Sequence, residues 1–399
     1  MSEICWRQLV ETNSQHYLKI MKVLQISNYY YPLVGGTQAT CQYLSEGIKD
    51  EYDVHVVAFS EDKEDKEEEH NGVKVSKAGV FLMLLRQSLS FSYYKLLKKY
   101  ILEWKPDIIH FHHPNPFVMA LMLRLIPDDV KLYVHYHLDV TAQKVMYQFI
   151  KGIERKMLER ADMIATTSEN YKKSSPVLKD FQDKTVVLAS AIDIAKYDLQ
   201  PGEQEKVDKI KQAACGKKIV FHAGRHVRHK GLEDLIEAEK LIKSDCVIYV
   251  GGDGPTTDEM MQLARFSDRI RFLGRMNDSD LRCYYHAADV FAFPSYTKAE
   301  GFGLTLAEAM YCGTPAVTYT IEGSGVNWVC PNGETGIEVP NRDVEAYAAA
   351  IDKLLQDDEL RKQLSENARS RVVTLFTIQK EVETLKEQYA YLLGKKDNC

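Results

Sequence analysis

The chain has 399 residues, 45% apolar and 27% charged, with a formal net charge of −6. This length suffices for two domains with a substantial core in each, and the acidic balance gives no support to nucleic-acid binding. Apolar runs of the first half such as Val80–Leu85 fall far short of the roughly 20 residues of a membrane span.

The first 20 residues carry Glu3 and Glu11 and no apolar core, so they do not read as a secretory signal. The strand pattern begins only after Met21, and residues 1–20 are expected to be an extension outside the fold. From there short β-branched runs alternate with longer helical patterns, the signature of parallel sheets with crossover helices. The first half offers Lys22–Ser27, Asp53–Ser60, Val73–Ala78, Asp107–His113, Lys131–His137, Met163–Ser168 and Thr185–Ser190.

Between the first of these strands and its helix lies Gly35-Gly36. Paired glycines there let backbone approach a ligand at the carboxyl end of the sheet, or serve as a structural turn. Neither G-x-G-x-x-G nor a P-loop is present, which disfavours dinucleotide binding and NTP hydrolysis. The acid-rich run Glu61–Glu69 reads as a solvated loop or hairpin tip. In Ser88–Lys105, Phe91, Tyr93, Tyr94, Leu96 and Leu97 alternate with Lys95, Lys98 and Lys99. That is an amphipathic crossover helix, with a lipid-facing surface as the sharper alternative. His110 with His112, and His135 with His137, fall on one sheet face each by alternation. No acidic cluster accompanies them beyond Asp139, so hydrogen-bonding histidines are expected rather than a zinc site.

Weak patterning around Pro201-Gly202 places the domain boundary between Asp198 and Gly216. The second half offers Lys217–Gly224, Cys246–Asp253, Ile270–Gly274, Val290–Ser295, Pro315–Thr320 and Thr335–Pro340. Arg225 and Lys230 emerge where the first of these ends; two cations there suit a pyrophosphate. Glu300 and Glu308 sit eight positions apart around a Gly-Phe-Gly turn that opens a helix. A bare helix start offers N–H groups to a phosphate, and carboxylates accept from hydroxyls on either side. Read as eight helical residues, their spacing is about 12 Å, suited to a sugar and a ribose. Val344–Gln356, Leu360–Leu375 and Lys380–Leu393 have helical spacing and form a tail. None of the eight cysteines forms a C-x-x-C pair, which suits a reducing cytoplasm.

Taken in order, Gly35-Gly36, His135-Tyr136-His137-Leu138-Asp139, Gly224-Arg225…Lys230-Gly231, Phe272–Met276 and Glu300…Glu308 resemble a retaining glycosyltransferase of family 4. The resemblance covers nearly all of residues 21–395. It implies the GT-B fold, an α/β architecture of two Rossmann-like domains facing across a cleft. The acceptor-side domain would be 21–200 with the C-terminal helix 378–395 packed back on it, and the nucleotide-sugar domain 201–377. It implies catalytic roles for Glu300, His137, Arg225 and Lys230. The donor would be bound by Gly35, Gly36, Arg225, Lys230, Arg275, Met276, Glu300, Phe302, Gly303, Leu304 and Glu308. Arg225 and Lys230 would hold the diphosphate, Glu308 the ribose, Glu300 and His137 the transferred sugar. No metal and no cofactor are expected; the nucleotide-diphosphate sugar is the donor substrate.

Two departures stand out. Ala191 occupies a position where the family usually has glycine, which puts that turn in doubt. Ile321–Val329, with Gly323-Ser324-Gly325-Val326, replaces the commoner G-G-x-P-E loop and resembles enzymes of bacterial surface-polysaccharide assembly. The expectation is therefore transfer of a hexose to a glycan, lipid-linked, at the cytoplasmic face of the membrane, with peripheral contact to anionic lipid. The alternatives are a soluble sucrose- or glycogen-synthase-like transferase and a catalytically inactive sugar-nucleotide-binding protein.

Overall fold

The computed structural model describes residues 20–33, 35–84, 87–139 and 144–394. Of the expected extension, residues 1–20, all but Ile20 lie outside the described residues, as does Lys395 at the end of the expected C-terminal helix. The chain divides after Tyr133 into two compact units.

Every run expected as a strand is one, most of them trimmed by one to three residues at the ends. The first sheet has eight strands. Their order is Thr185–Val187, Met163–Thr166, Lys131–Tyr136, Ile108–His113, Lys22–Ile26, Asp53–Phe59, Val73–Ala78 and Lys66–His70. Where a solvated loop or hairpin tip was expected over Glu61–Glu69, the last of these makes residues 66–69 part of a hairpin strand. Lys66–His70 pairs antiparallel with Val73–Ala78, setting Glu69 opposite Lys74. Lys77, 1% exposed, projects from that partner strand and donates to the Tyr31 carbonyl at 2.6 Å while pairing with Glu68 at 2.5 Å. A buried ammonium needs such partners, and the acidic run supplies one.

A short hairpin, Leu82–Leu84 with Gln87–Leu89, precedes the helix Phe91–Lys98, which Ser90 caps by accepting from Tyr93 N. The helix expected within Ser88–Lys105 is thus confined to its middle and continues as a π turn over Lys99–Glu103.

The second sheet has six parallel strands, in the order Ile270–Gly274, Cys246–Gly251, Lys218–Ala223, Val290–Phe293, Ala316–Tyr319 and Gly336–Val339. Its four inner strands are buried on both faces, which suits their continuous apolar runs. The segment between Asp198 and Gly216, read as weakly patterned, contains the charged helix Glu203–Ala213. It docks through ions: Glu203 takes both a 2.7 Å and a 2.6 Å hydrogen bond from Arg282, and 2.6 Å from Ser279.

Three tail helices follow, Val344–Gln356, Asp358–Leu375 and Ile378–Leu392, capped by the side chains of Asp343, Asp357 and Thr377. The last lies back on the first sheet, where Gln388 donates to the Val187 carbonyl at 2.9 Å. Beside it Ile192 N donates to Phe376 O at 2.9 Å, and Ile192 bridges Thr377. Ala191 is buried there and is absent from the residues with positive φ, so this turn does not require glycine. Glu381, in the first turn of the last helix, is 3% exposed, and neither carboxylate oxygen has a hydrogen-bond partner among the described residues.

Candidate active site

Strand order in the second sheet reverses between Lys218–Ala223 and Val290–Phe293, which pair side by side. Open α/β sheets bind ligands at the carboxyl ends of strands at such a switch point. The two loops leaving these ends carry Arg225 and Lys230 on one side and Glu300 on the other. After Gly224 the chain turns through the 3₁₀ segment Arg228–Lys230 to Gly231, φ 65°. A Cβ on Gly231 would lie 2.1 Å from the Pro294 carbonyl oxygen, so only glycine lets the two loops close together. Tyr296 N donates to His229 O at 3.2 Å across the same junction.

This contact brings Lys230 to Glu300. The ammonium pairs with Oε2 of the carboxylate, their side chains 15% and 11% exposed. Ser295 Oγ lies 3.3 Å from the same oxygen, and the Lys230 ammonium sits 5.4 Å from the centre of the Phe293 ring. Arg225 differs: its side chain is exposed and has no hydrogen bond or ion pair among the described residues.

Glu300 itself lies in a loop, and the helix begins only at Leu304, with Gly303 as N-cap. The spacing of the two glutamates is therefore not that of a continuous helix. No side chain caps this helix, and the N–H groups of Phe302, Gly303 and Leu304 have no partner among the described residues. They form an anion-accepting nest beside the Lys230–Glu300 pair. Phe302 anchors the turn from below, edge-on to Phe376 at 5.3 Å.

Glu308 is half-buried on that helix and accepts from Tyr285 OH at 3.0 Å. Burial raises its carboxyl above the ordinary value, against the opposing pull of hydrogen bonds from Tyr197 and Tyr285 and of the Lys230 charge.

The remaining expected residues divide. The His137 carbonyl lies 3.5 Å from where a Cβ on Gly301 would sit, so the structure brings this segment against the Glu300 loop. The His137 ring is buried and stacks on His135 at 4.1 Å. His110 and His112 stack likewise at 4.5 Å, as strand alternation requires. Arg275 is exposed, whereas Met276 is spent on packing: a Cβ on Gly251 would meet its sulfur at 2.2 Å. Gly35 and Gly36 lie in the first unit, where Gly35 is the N-cap of the helix Gly36–Ile48 and no side chain caps it.

Sequence reasoning missed Ser295, Tyr285 and Ser324, all partners of the two glutamates. Ser295 stands at the end of a strand that points into the site, a usable signal. Tyr285, on the helix Asp278–Ala287, had none, because its apolar spacing reads simply as core.

The family described as "Glycosyl transferases group 1" matches residues 203–371, and "Glycosyltransferase Family 4" matches residues 34–196. The chain is built of a family 4-like and a group 1 glycosyltransferase domain. Among curated relatives of this transferase is the O-antigen chain mannosyltransferase C of Escherichia coli. It is 28% identical over 380 residues, 94% of this chain and 100% of the relative. The D-rhamnosyltransferase WbpZ of Pseudomonas aeruginosa is 29% identical over 365 residues, covering 90% and 92%. The fold matches sucrose-phosphate synthase from Thermosynechococcus elongatus with a TM-score of 0.75 at 21% identity, over 94% of this chain and 100% of that one. It matches Anabaena HepE in complex with UDP with a TM-score of 0.73 at 19% identity, over 93% and 100%. These solved structures establish the GT-B fold of the transferase.

Proposed function

We propose that this transferase moves a hexosyl group from a nucleotide-diphosphate sugar to a hydroxyl of a lipid-linked glycan in bacterial surface-polysaccharide synthesis, with retention of configuration. The observation that carries the reading is the Lys230–Glu300 pair beside an uncapped helix start. Lys230 and Arg225 offset the charge of the departing diphosphate, and the N–H groups of Phe302, Gly303 and Leu304 donate to its oxygens. Glu300 accepts from the donor sugar's hydroxyls and Glu308 from the ribose, with His137 completing the sugar site. Gly35 and Gly36 admit backbone to the phosphate, and main chain at Arg275 and Met276 meets the base. The C1–O bond to phosphate breaks as C1 bonds the acceptor oxygen on the same face. The acceptor's proton passes to the leaving phosphate. Two cations suffice for this charge, so no metal is required.

The likeness to an O-antigen chain mannosyltransferase supports a polysaccharide acceptor. A membrane-side acceptor fits the exposed Phe81, Leu82, Met83, Phe91 and Tyr94, with Phe91 79% exposed and the exposed Lys95 and Lys98 on the same helix. No helix among the described residues is long and apolar enough to cross a membrane, so such contact would be peripheral, at the cytoplasmic face. The test is a panel of UDP- and GDP-sugars with undecaprenyl-diphosphate-linked acceptors, with and without EDTA. Transfer that survives EDTA and yields the α-anomer from an α-linked donor is expected. An inverted product or loss of activity with EDTA refutes the corresponding element.

A further inference from the structure

The loop Ile321–Gly325 departs from the usual family form and is not used by the chemistry above. We propose that Ser324 is a positioning residue: it fixes the Glu300–Gly301 main chain and thereby aims the Glu300 carboxylate at the donor sugar. This rests on the donor-binding role assigned to Glu300.

Ser324 is fully buried, and both capacities of its hydroxyl are in use. It donates to the Glu300 carbonyl and accepts from Val326 N at 3.2 Å. The next residue repeats the contact, Gly325 N donating to Gly301 O at 3.0 Å. Two successive carbonyls of the Glu300 loop are thus held by two successive residues. A Cβ on Gly325 would lie 2.5 Å from the Gly301 carbonyl oxygen, so a side chain there would push the two strands of this clasp apart.

The loop is held from behind as well. Ser174 Oγ donates to Gly323 O at 3.0 Å, and Asn170 Nδ2 reaches Ser324 O at 3.5 Å, both from the helix Glu169–Ser174. Asn327 fastens its base, accepting from Ile321 N at 2.8 Å and donating to Tyr319 O at 3.0 Å. Glu300 is therefore gripped at its carboxylate by Lys230 and Ser295 and at its main chain by Ser324. Such preorganisation spares the ordering that binding would otherwise demand.

Because Glu300 meets the sugar and not the nucleotide, loosening the clasp must act on one part of the donor. The experiment is calorimetric titration of wild type, Ser324→Ala, Gly325→Ala and Glu300→Gln with UDP-glucose, GDP-mannose, UDP and GDP. Ser324→Ala is expected to weaken the bound nucleotide sugar about tenfold, the loss of one buried hydrogen bond with its carbonyl left unpaired. The bare diphosphate should bind as in wild type. Equal weakening of both ligands, or of neither, overturns the positioning role. Glu300→Gln separates the two levels of argument: if it spares sugar binding, the donor reading itself falls; if it alone impairs sugar binding, only the clasp falls. Should Ser324→Ala not fold, Ser174→Ala with Asn170→Ala loosens the loop from behind, and the same sugar-selective loss is required.

Discussion

Replacing Lys230 by methionine should separate what the Lys230–Glu300 pair does for the fold from what it does for transfer. Methionine keeps most of the stem volume and removes the charge. The Glu300 carboxylate, its side chain 11% exposed, is then left with the Ser295 hydroxyl at 3.3 Å as its side-chain partner. Breaking a fully buried pair typically costs about 3–5 kcal/mol. The residual exposure of both groups and the surviving hydroxyl reduce the expectation to about 2–3 kcal/mol. Glu300→Gln in the same chain removes the stranded charge, so the double variant should return to within about 1 kcal/mol of wild type. Transfer should not return: both variants should lose a factor of about 10²–10³ in kcat, as when an electrostatic clamp on the transition state is removed. Urea midpoints followed by tryptophan fluorescence read the first quantity, and nucleoside diphosphate release reads the second. A Lys230→Met enzyme that turns over within about threefold of wild type would sink the diphosphate assignment. A urea midpoint for Lys230→Met equal to that of wild type would show that the pair contributes nothing to the fold.

Two further outcomes follow from buried oxygens elsewhere. Burial alone raises the Glu381 carboxyl well above its ordinary value. Above about pH 4.3 the folded chain therefore keeps a proton that the unfolded chain has released. The stability this group allows is full below that pH and declines as pH rises toward the folded value, by at most about 1.4 kcal/mol per pH unit. Glu381→Met should abolish this slope and stabilise the protein at neutral pH by about 1–3 kcal/mol, the desolvation of an unpartnered polar group; urea melts at pH 5 and 7.5 check it, and a variant less stable at both contradicts it. Tyr285→Phe removes the 3.0 Å hydrogen bond to Glu308 and should weaken UDP or GDP about five- to tenfold while leaving the sugar's increment of affinity unchanged. An undiminished affinity for the bare nucleotide would remove Glu308 from the ribose site.

The parallel sheets were legible because their inner strands are covered on both faces and so read as unbroken apolar runs. Lys66–His70 was not, since its cohesion comes from charges that meet Lys74 and Lys77 on the neighbouring strand. Hydrophobic periodicity cannot register that. Arg225, Lys230, Glu300 and Glu308 could be nominated from their places at strand ends and at a helix start. Their mutual arrangement could not: Lys230 meets Glu300 across 70 residues only because two strands distant in sequence are neighbours at the switch point. Ser324 looked like a subgroup marker, and only the folded loop shows what its hydroxyl touches.

The hydrogen bond from Gln388 to Val187 spans 201 residues, and this has a temporal side. Thr185–Val187 is the outermost strand of its sheet, and the helix residue that reaches it is synthesised 201 residues later. At about 5–20 residues per second, a ribosome needs roughly 10–40 s to bridge that interval. Throughout it the nascent sheet carries an open edge, the feature that invites pairing with other chains. Messages truncated before Thr377 would make that interval permanent, so their products should accumulate as aggregates and not as a smaller working enzyme.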